Sequence, residues 1–322
     1  MTSINQPAIS RAGEQAGVHQ RFTAQLEAAQ AALLARYAPE TRIRRVRWSQ
    51  GETQVMELGS GAPLLLVHGG FASGFYWAPI LAALARTHRV LVVDLPGHGL
   101  ADAFDYSRVD PLDHARMFLR DIVNSLELRT TAIVANSLGG LWAVSFALDA
   151  PDRVSRLVLV GAVAGVAREI PIQLRMLGLP FVGRALGRRL LSEPTRESNR
   201  RFWGELLVVH PERLDDTLLD AHSAHSRRNL ESMLTLARCV ADLRGLRRRL
   251  LLGERWQELK TPTALIWSDR DRFISPRGWA AWEAITARNL NLRTIPIPDA
   301  GHLPWLDDET RAVSEIERFL TN

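Results

Sequence analysis

Four short segments of this chain carry the residue types that acyl-transfer chemistry needs. In Ala135-Asn136-Ser137-Leu138-Gly139-Gly140 a serine stands between the apolar run Thr131 to Ala135 and a helical stretch, Leu138 to Ala150. A serine on so sharp a strand-to-helix turn projects its oxygen above the sheet. Its neighbours two before and two after must be small, because the backbone is crowded there. Ala135 and Gly139 meet that need, and Ser137 is the candidate nucleophile; the plainer alternative is a helix N-cap serine followed by packing glycines. The second segment, His68-Gly69-Gly70-Phe71, directly follows the apolar run Pro63 to Val67. Acyl hydrolysis passes through an oxyanion that two backbone N–H groups must meet, and removing one such donor costs about 10²–10³ in rate. One donor is assigned to Leu138 and the other to Gly70, with Phe71 as the fallback; His68 reads as a turn residue, not a base.

The third segment, Trp267 to Pro276, places Asp269 and Asp271 just beyond the strand-like Thr263 to Trp267. A carboxylate at the C-terminal end of a strand lies where active sites form on open α/β sheets, and both aspartates are candidates on that ground. The fourth, Asp299-Ala300-Gly301-His302-Leu303-Pro304-Trp305, follows the strand-like Leu292 to Ile297. A loop histidine beside a glycine can reach a nucleophile. The order Ser, Asp, His then describes a serine activated by His302, whose second nitrogen is held by a carboxylate, working through an acyl-enzyme. Such chemistry needs no cofactor and no metal.

The elements that must position these residues are legible as a rhythm. Arg42 to Trp48 and Gln54 to Leu58 read as a hairpin turning at Gln50-Gly51-Glu52. After Pro63, strands and helices alternate: Ile80 to Arg86 helical, Val90 to Val93 strand, Pro111 to Leu126 helical, Thr131 to Ala135 strand, Arg156 to Val160 strand. Alternation of this kind implies an α/β fold with a mostly parallel sheet and helices on both faces. The rhythm breaks over 162–259, a Leu-, Arg- and Glu-rich stretch too long for a loop, which reads as an inserted helical cap. It returns at Thr263 and closes with a helix from Glu309 to Leu320. The expected organisation is therefore a tail and accessory helix at 1–41, a core at 42–161 and 260–322, and a cap at 162–259. Within 1–41, residues 1–17 read as a loose tail. Phe22, Leu26, Ala29, Leu33 and Leu34 mark an amphipathic helix from Val18 to Tyr37, placed to pack on the core, cover the site entrance or meet a partner.

Composition bounds the rest. The 322 residues carry a net charge of +5, with 46% hydrophobic and 23% charged residues. Of 40 cationic side chains only Lys260 is a lysine, a bias that reads as coding preference. No zinc-finger spacing, RNP-like motif or sustained basic run points to nucleic acid. The single cysteine, Cys239, rules out an intramolecular disulfide and fits a reducing cytoplasm. Met1 to Gln20 is polar, without the apolar core of a secretory signal, and no segment offers the ~18 apolar residues of a spanning helix. His222 and His225, three apart, have metal-like spacing but no evident third ligand, so a solvated helix face is expected. The basic, amphipathic stretch Arg244 to Arg249, with Leu246, Leu250 and Leu251, reads as a solvated face rather than a membrane foot. Leu174 to Leu191 suits the lining of an apolar pocket.

Taken together, the segment from His68 through Asp94-Leu95-Pro96-Gly97-His98-Gly99 to Ser137 resembles the common form of the capped members of the α/β-hydrolase superfamily. The resemblance covers roughly residues 43–161 and 260–320. It implies that the acid is the aspartate of the Trp-x-x-x-Asp-x-x-x-x-Pro stretch, Asp271 rather than Asp269, and that His98 has a structural role. Dehalogenases and epoxide hydrolases of the superfamily attack with aspartate, so Ser137 sets them aside. The expectation is hydrolysis of a carboxylic ester of a small or medium apolar substrate. The runner-up is hydrolysis of a carbon–carbon bond in products of aromatic ring cleavage. Asn136-Ser137 and Trp267 resemble that subgroup, whereas Leu303 stands where it favours tryptophan; Asn136, Trp267 and Leu303 are accordingly candidate substrate-binding residues. From another class, the chain reads as a ligand-binding protein with a weakly active triad. Membrane-surface contact is the less favoured partner.

Overall fold

The computed structural model describes residues 11–161, 165–191 and 195–321. Eight strands form one sheet. β1 (Arg42–Trp48) and β2 (Gly51–Leu58) are a hairpin in which Trp48 faces Gly51. The turn is thus Ser49-Gln50, one residue earlier than expected, because a two-residue loop matches the twist of the flanking strands. β2 pairs antiparallel with β4 (His88–Val93). From there the sheet is parallel: β4, β3 (Ala62–Val67), β5 (Thr131–Asn136) and β6 (Val154–Val160). A two-residue ribbon, β7 (Ala241–Asp242) with β8 (Gly245–Leu246), stands apart from it. β9 (Thr263–Ser268) and β10 (Leu292–Ile297) complete the parallel run beside β6.

Successive strand side chains point to opposite faces, so the continuous apolar runs feed two cores. Leu65, Val67, Leu91, Ile133 and Leu157 pack with the helices Pro111–Ser125 and Ser137–Asp149. Leu64, Leu66, Val90, Val134 and Val158 pack on the other side with Ala78–Leu84 and Glu309–Thr321. This explains why the strands read as unbroken apolar runs: both faces are covered. The chain leaves β3 toward β4 on one side and returns to β5 on the other. That reversal opens a crevice at the carboxyl ends of β3 and β5, where ligands bind in such sheets.

The N-terminal helix spans Arg11–Tyr37. It begins earlier than expected, since nothing in Arg11 to Ala16 beyond one glycine opposes helix propagation; residues 1–10 of the expected tail lie outside the described residues. Leu26, Leu33 and Leu34 are buried with Met56, Phe75 and Leu219. Gln30 and Gln54 exchange buried amide hydrogen bonds at 3.0–3.1 Å. Arg36 pairs with Asp215 at 2.7 Å, and Arg228 donates to Thr23 at 3.0 Å. The helix thus packs on the core and ties it to the segment between β6 and β9, and none of its described residues borders the cavity beside Ser137.

That intervening segment is helical: Ile172–Leu177, Val182–Leu191, Arg196–Leu206 and the long Asp216–Val240. Thr195 caps the third with a reciprocal capping box to Ser198, and Asp215 caps the fourth through Thr217 N–H at 2.7 Å, supplying acceptors for otherwise orphaned N–H groups. Of the basic stretch, Leu246 and Leu250 are buried while Arg244 and Arg248 face outward. No described helix is long and apolar enough to cross a membrane.

Candidate active site

Ser137 opens the helix after β5 with φ at +51°. Left-handed backbone costs a non-glycine residue about 1–2 kcal/mol, and such strain marks a turn held in place by its surroundings. The surroundings here are backbone. A side chain at Gly139 would lie 2.3 Å from the carbonyl oxygen of His68 and 2.9 Å from that of Val67. The helix can therefore seat directly on the β3 loop only with glycine there. Ala135 is fully buried, and its methyl is accommodated without disturbing the pairing of Ala135 with Val67 and Leu159.

The loop after β3 is fixed from beneath. His68 is buried; its Nδ1 donates to Gly69 carbonyl at 2.7 Å and its Nε2 accepts from Leu95 N–H at 2.9 Å. Both ring nitrogens are used, and burial lowers its pKa to about 4, so it is a neutral structural residue, as its turn position suggested. Phe71 has φ of +63°. Gly70, Phe71 and Leu138 all border the cavity beside Ser137. Leu138 lies in the first turn of its helix, where N–H groups have no partner within the helix.

The two remaining loops meet at the same edge. Asp271, three residues past β9, is buried, whereas Asp269 is exposed. Asp271 accepts from His302 Nδ1 at 2.9 and 3.1 Å, and from Phe273 N–H at 2.8 Å. The Phe273 ring stacks on the imidazole at 3.8 Å and 14°. His302 is 2% exposed, and its Nε2 has no hydrogen-bond partner. Gly161, at the end of β6, has φ of +54°; a side chain there would strike the His302 carbonyl at 2.5 Å. Asn136 donates through Nδ2 to the carbonyls of Val160 (2.8 Å) and His302 (3.3 Å). It borders the cavity, but its amide is spent on holding the histidine loop.

Of the other expected residues, Leu303 is buried and borders the cavity. Trp267 does not border it; its ring stacks on Trp279 at 4.3 Å. His222 and His225 are not a solvated face. They are 5% and 0% exposed, because the helix Asp216–Val240 turns that face onto the core. Among the described residues, no cluster of three or more His, Cys, Asp or Glu side chains could hold a metal.

Two further carboxylates hold the loops around the site. Asp94 is fully buried and accepts from Ser73 Oγ, Gly74 N–H and Leu100 N–H at 2.8–2.9 Å; burial pushes its carboxyl up. Asp307 accepts from Gly301 N–H, Val209 N–H and His210 N–H at 2.8–2.9 Å. It joins the histidine loop to the helical segment. The only sequence signal for it was an acid following the His302 motif at short range.

The cavity bounded by these loops has a volume of about 140 Å³, the size that takes a benzene-like group. Leu174, Leu177, Leu206, Met233 and Ala237 line it from the helical segment. Among the described residues no Lys, Arg, Asp or Glu lines it.

The sequence profile described as alpha/beta hydrolase fold matches residues 62–309. The chain belongs to the α/β-hydrolase family. An uncharacterized protein of Mycobacterium tuberculosis is 30% identical over 276 residues, 81% of this chain and 76% of its own. A 2-hydroxy-6-oxononadienedioate/2-hydroxy-6-oxononatrienedioate hydrolase of Paraburkholderia phymatum is 29% identical over 222 residues, 66% of this chain and 71% of its own. Among solved structures, a Bacillus subtilis carboxylesterase superposes with a TM-score of 0.74 at 19% identity, covering 94% of this chain and 98% of that one.

Proposed function

We propose that this hydrolase cleaves a carboxylic ester of a small or medium apolar substrate through an acyl-enzyme. The observation that carries the reading is the pairing of His302 Nδ1 with buried Asp271, beside a strained Ser137, at the mouth of an apolar cavity. In this mechanism His302 Nε2 takes the proton of Ser137 as its oxygen attacks the acyl carbon. Asp271 fixes the tautomer and stabilises the imidazolium. Backbone N–H groups of Leu138 and Gly70, with Phe71 as the alternative to Gly70, receive the oxyanion. The proton on His302 passes to the leaving alkoxide. Water, deprotonated by the same nitrogen, then releases the acid and frees Ser137. The helical segment between β6 and β9 acts as the cap that sets the substrate.

The lining favours an ester over the dicarboxylate that the Paraburkholderia relative's name describes. A carboxylate buried without a paired cation costs several kcal/mol, and among the described residues none lines the cavity. The same reading places the enzyme in the cytoplasm with Cys239 as a buried free thiol. A panel of p-nitrophenyl esters run beside a ring-cleavage dienoate tests it. Turnover of the esters, with fluorophosphonate labelling of Ser137, is expected. Turnover of the dienoate alone would replace this reading with carbon–carbon hydrolysis, and a protein that neither reacts nor turns over would be a binder.

A further inference from the structure

The cavity has a second polar point, away from the reacting loops. His222 and Ser226 both border it and lie four apart on the helix Asp216–Val240, so they stack on one helix face. His222 Nε2 and Ser226 Oγ are buried, and neither has a hydrogen-bond partner. The residues are 5% and 1% exposed. An unmade hydrogen bond at a buried polar atom costs about 1–3 kcal/mol, and two such atoms on adjacent turns of a helix face that borders the cavity are groups a ligand atom could satisfy.

The imidazole is held in one orientation. Tyr76 OH hydrogen-bonds His222 Nδ1, and Trp203 packs edge-on against the ring at 5.2 Å. Burial raises the Tyr76 phenol well above its ordinary value and lowers His222 to about 4, so both are neutral near pH 7. If Nδ1 carried the proton, the Tyr76 proton would be left without an acceptor. Donation from Tyr76 to Nδ1 avoids that and leaves the ring proton on Nε2. That helix face therefore carries an N–H donor and a hydroxyl on two residues that border the cavity.

We propose that His222 and Ser226 form a specificity subsite for a neutral acceptor oxygen, so that the substrate is an ester bearing a second oxygen function: a keto, alkoxy or hydroxy ester rather than a plain alkyl one. This deepens the ester reading and rests on it for the word ester. A carboxylate does not fit, because no cationic side chain lines the cavity among the described residues. A plain alkyl chain would leave both polar atoms unpaired, and sites built to bond an oxygen discriminate strongly against analogues lacking it.

The test compares p-nitrophenyl octanoate with analogues in which an ether or keto oxygen replaces or substitutes each chain position in turn. Binding of the matching non-hydrolysable methyl ketones to Ser137→Ala protein is titrated in parallel. One oxygen position is expected to gain about tenfold over the all-carbon compound, in kcat/KM and in Kd alike. That ratio should collapse toward one in Ser226→Ala and in Tyr76→Phe/His222→Phe, the double variant that leaves no orphaned phenol. Absence of any favoured position, or a preference that survives both variants, overturns the proposal. If no ester is turned over, the ester reading fails by itself, and the ketone titration still decides the subsite.

Discussion

The cavity has two walls made in different ways. On the sheet side, the loops carrying Gly70, Ser137 and His302 are locked by backbone. Gly139 presses on the His68 carbonyl, Gly161 on the His302 carbonyl, and Asn136 spans from Val160 to His302. On the helical side, the wall consists of side chains: Leu174, Leu177, Leu206 and Met233. A backbone wall has no rotamers to exchange, whereas a side-chain wall can repack at modest cost. Reaction and substrate choice should therefore separate. Changes on the first wall should cost rate with every substrate, and changes on the second should reorder substrates.

The largest effect tests the first half of that contrast. Ser137→Ala should lower kcat by ~10⁶ for all esters alike, with the circular-dichroism spectrum unchanged. Substantial residual turnover in a pure sample would remove the chemistry from the sheet-side wall. Next, Asp271→Asn should cost about 10⁴ in kcat, since the wrong tautomer of His302 is then stabilised. Asp269→Asn, at an exposed position, should stay within a few-fold. Steady-state kinetics of the two variants side by side decides between them, and the reverse order would shift the acid by two residues.

The same contrast governs what the sequence disclosed. Residues on the sheet side announce themselves, because sharp turns demand glycine and small residues at fixed offsets around Ser137 and His302. The strand runs beneath them are apolar on both faces. The choice between Asp269 and Asp271 came from resemblance to a family; only burial and the bond to His302 distinguish them physically. On the helical side, spacing is almost silent. His222 and His225 read as a solvated helix face, because polar residues usually are. Their burial depends on partners far away in sequence, Tyr76 and Gly99, which no local pattern reveals. Trp267 was misplaced as well: Trp279, twelve residues on, takes its ring.

Buried histidines occur on both walls, so acid should undo the two together. Burial lowers His68, His114 and His222 to about 4 and His98 to about 3. The unfolded chain takes up protons below about pH 6.5, while the fold refuses them. Stability is full above that pH and falls as the pH drops toward 4, by up to ~1.4 kcal/mol per unit for each histidine. Asp94 and Asp307, whose carboxyls burial pushes up, act in the opposite direction and offset part of the loss. Thermal melts from pH 7.5 to 4 should show a single transition that moves steeply downward. Two separating transitions would mean that the walls are independent units.

Asp307 is one of the ties between the walls, beside the Leu303 N–H to Leu207 carbonyl bond at 3.0 Å, and its replacement should cost less. Asp307→Ala orphans the N–H groups of Gly301, Val209 and His210. Leaving buried donors unpaired costs about 1–3 kcal/mol, so Tm should fall by several degrees. Because Gly301 precedes His302, kcat should fall roughly in step for every ester tested. A variant that lost stability but kept kcat would show that the histidine loop does not need the tie.

The smallest effect belongs to the side-chain wall. Leu177 is buried, borders the cavity, and packs with Leu234 and Ala237. Leu177→Ala removes its branched end from a surface that already adjoins empty space, so the stability cost should sit near the low end of the ~2–5 kcal/mol seen for core leucines. The enlarged cavity should accept one or two more carbons. A methylene in an apolar pocket is worth about 1–3 kcal/mol of discrimination, which sets an increase of about tenfold in kcat/KM for the longer ester. The acetate ester, which does not reach Leu177 if the wall serves only to choose substrates, should keep its kcat. Measured across a chain-length series, the optimum moves while the ceiling of kcat stays. A uniform drop in kcat at every length would instead mean that the helical wall helps to hold Ser137 and His302, and the separation of reaction from choice would fail at its weakest point.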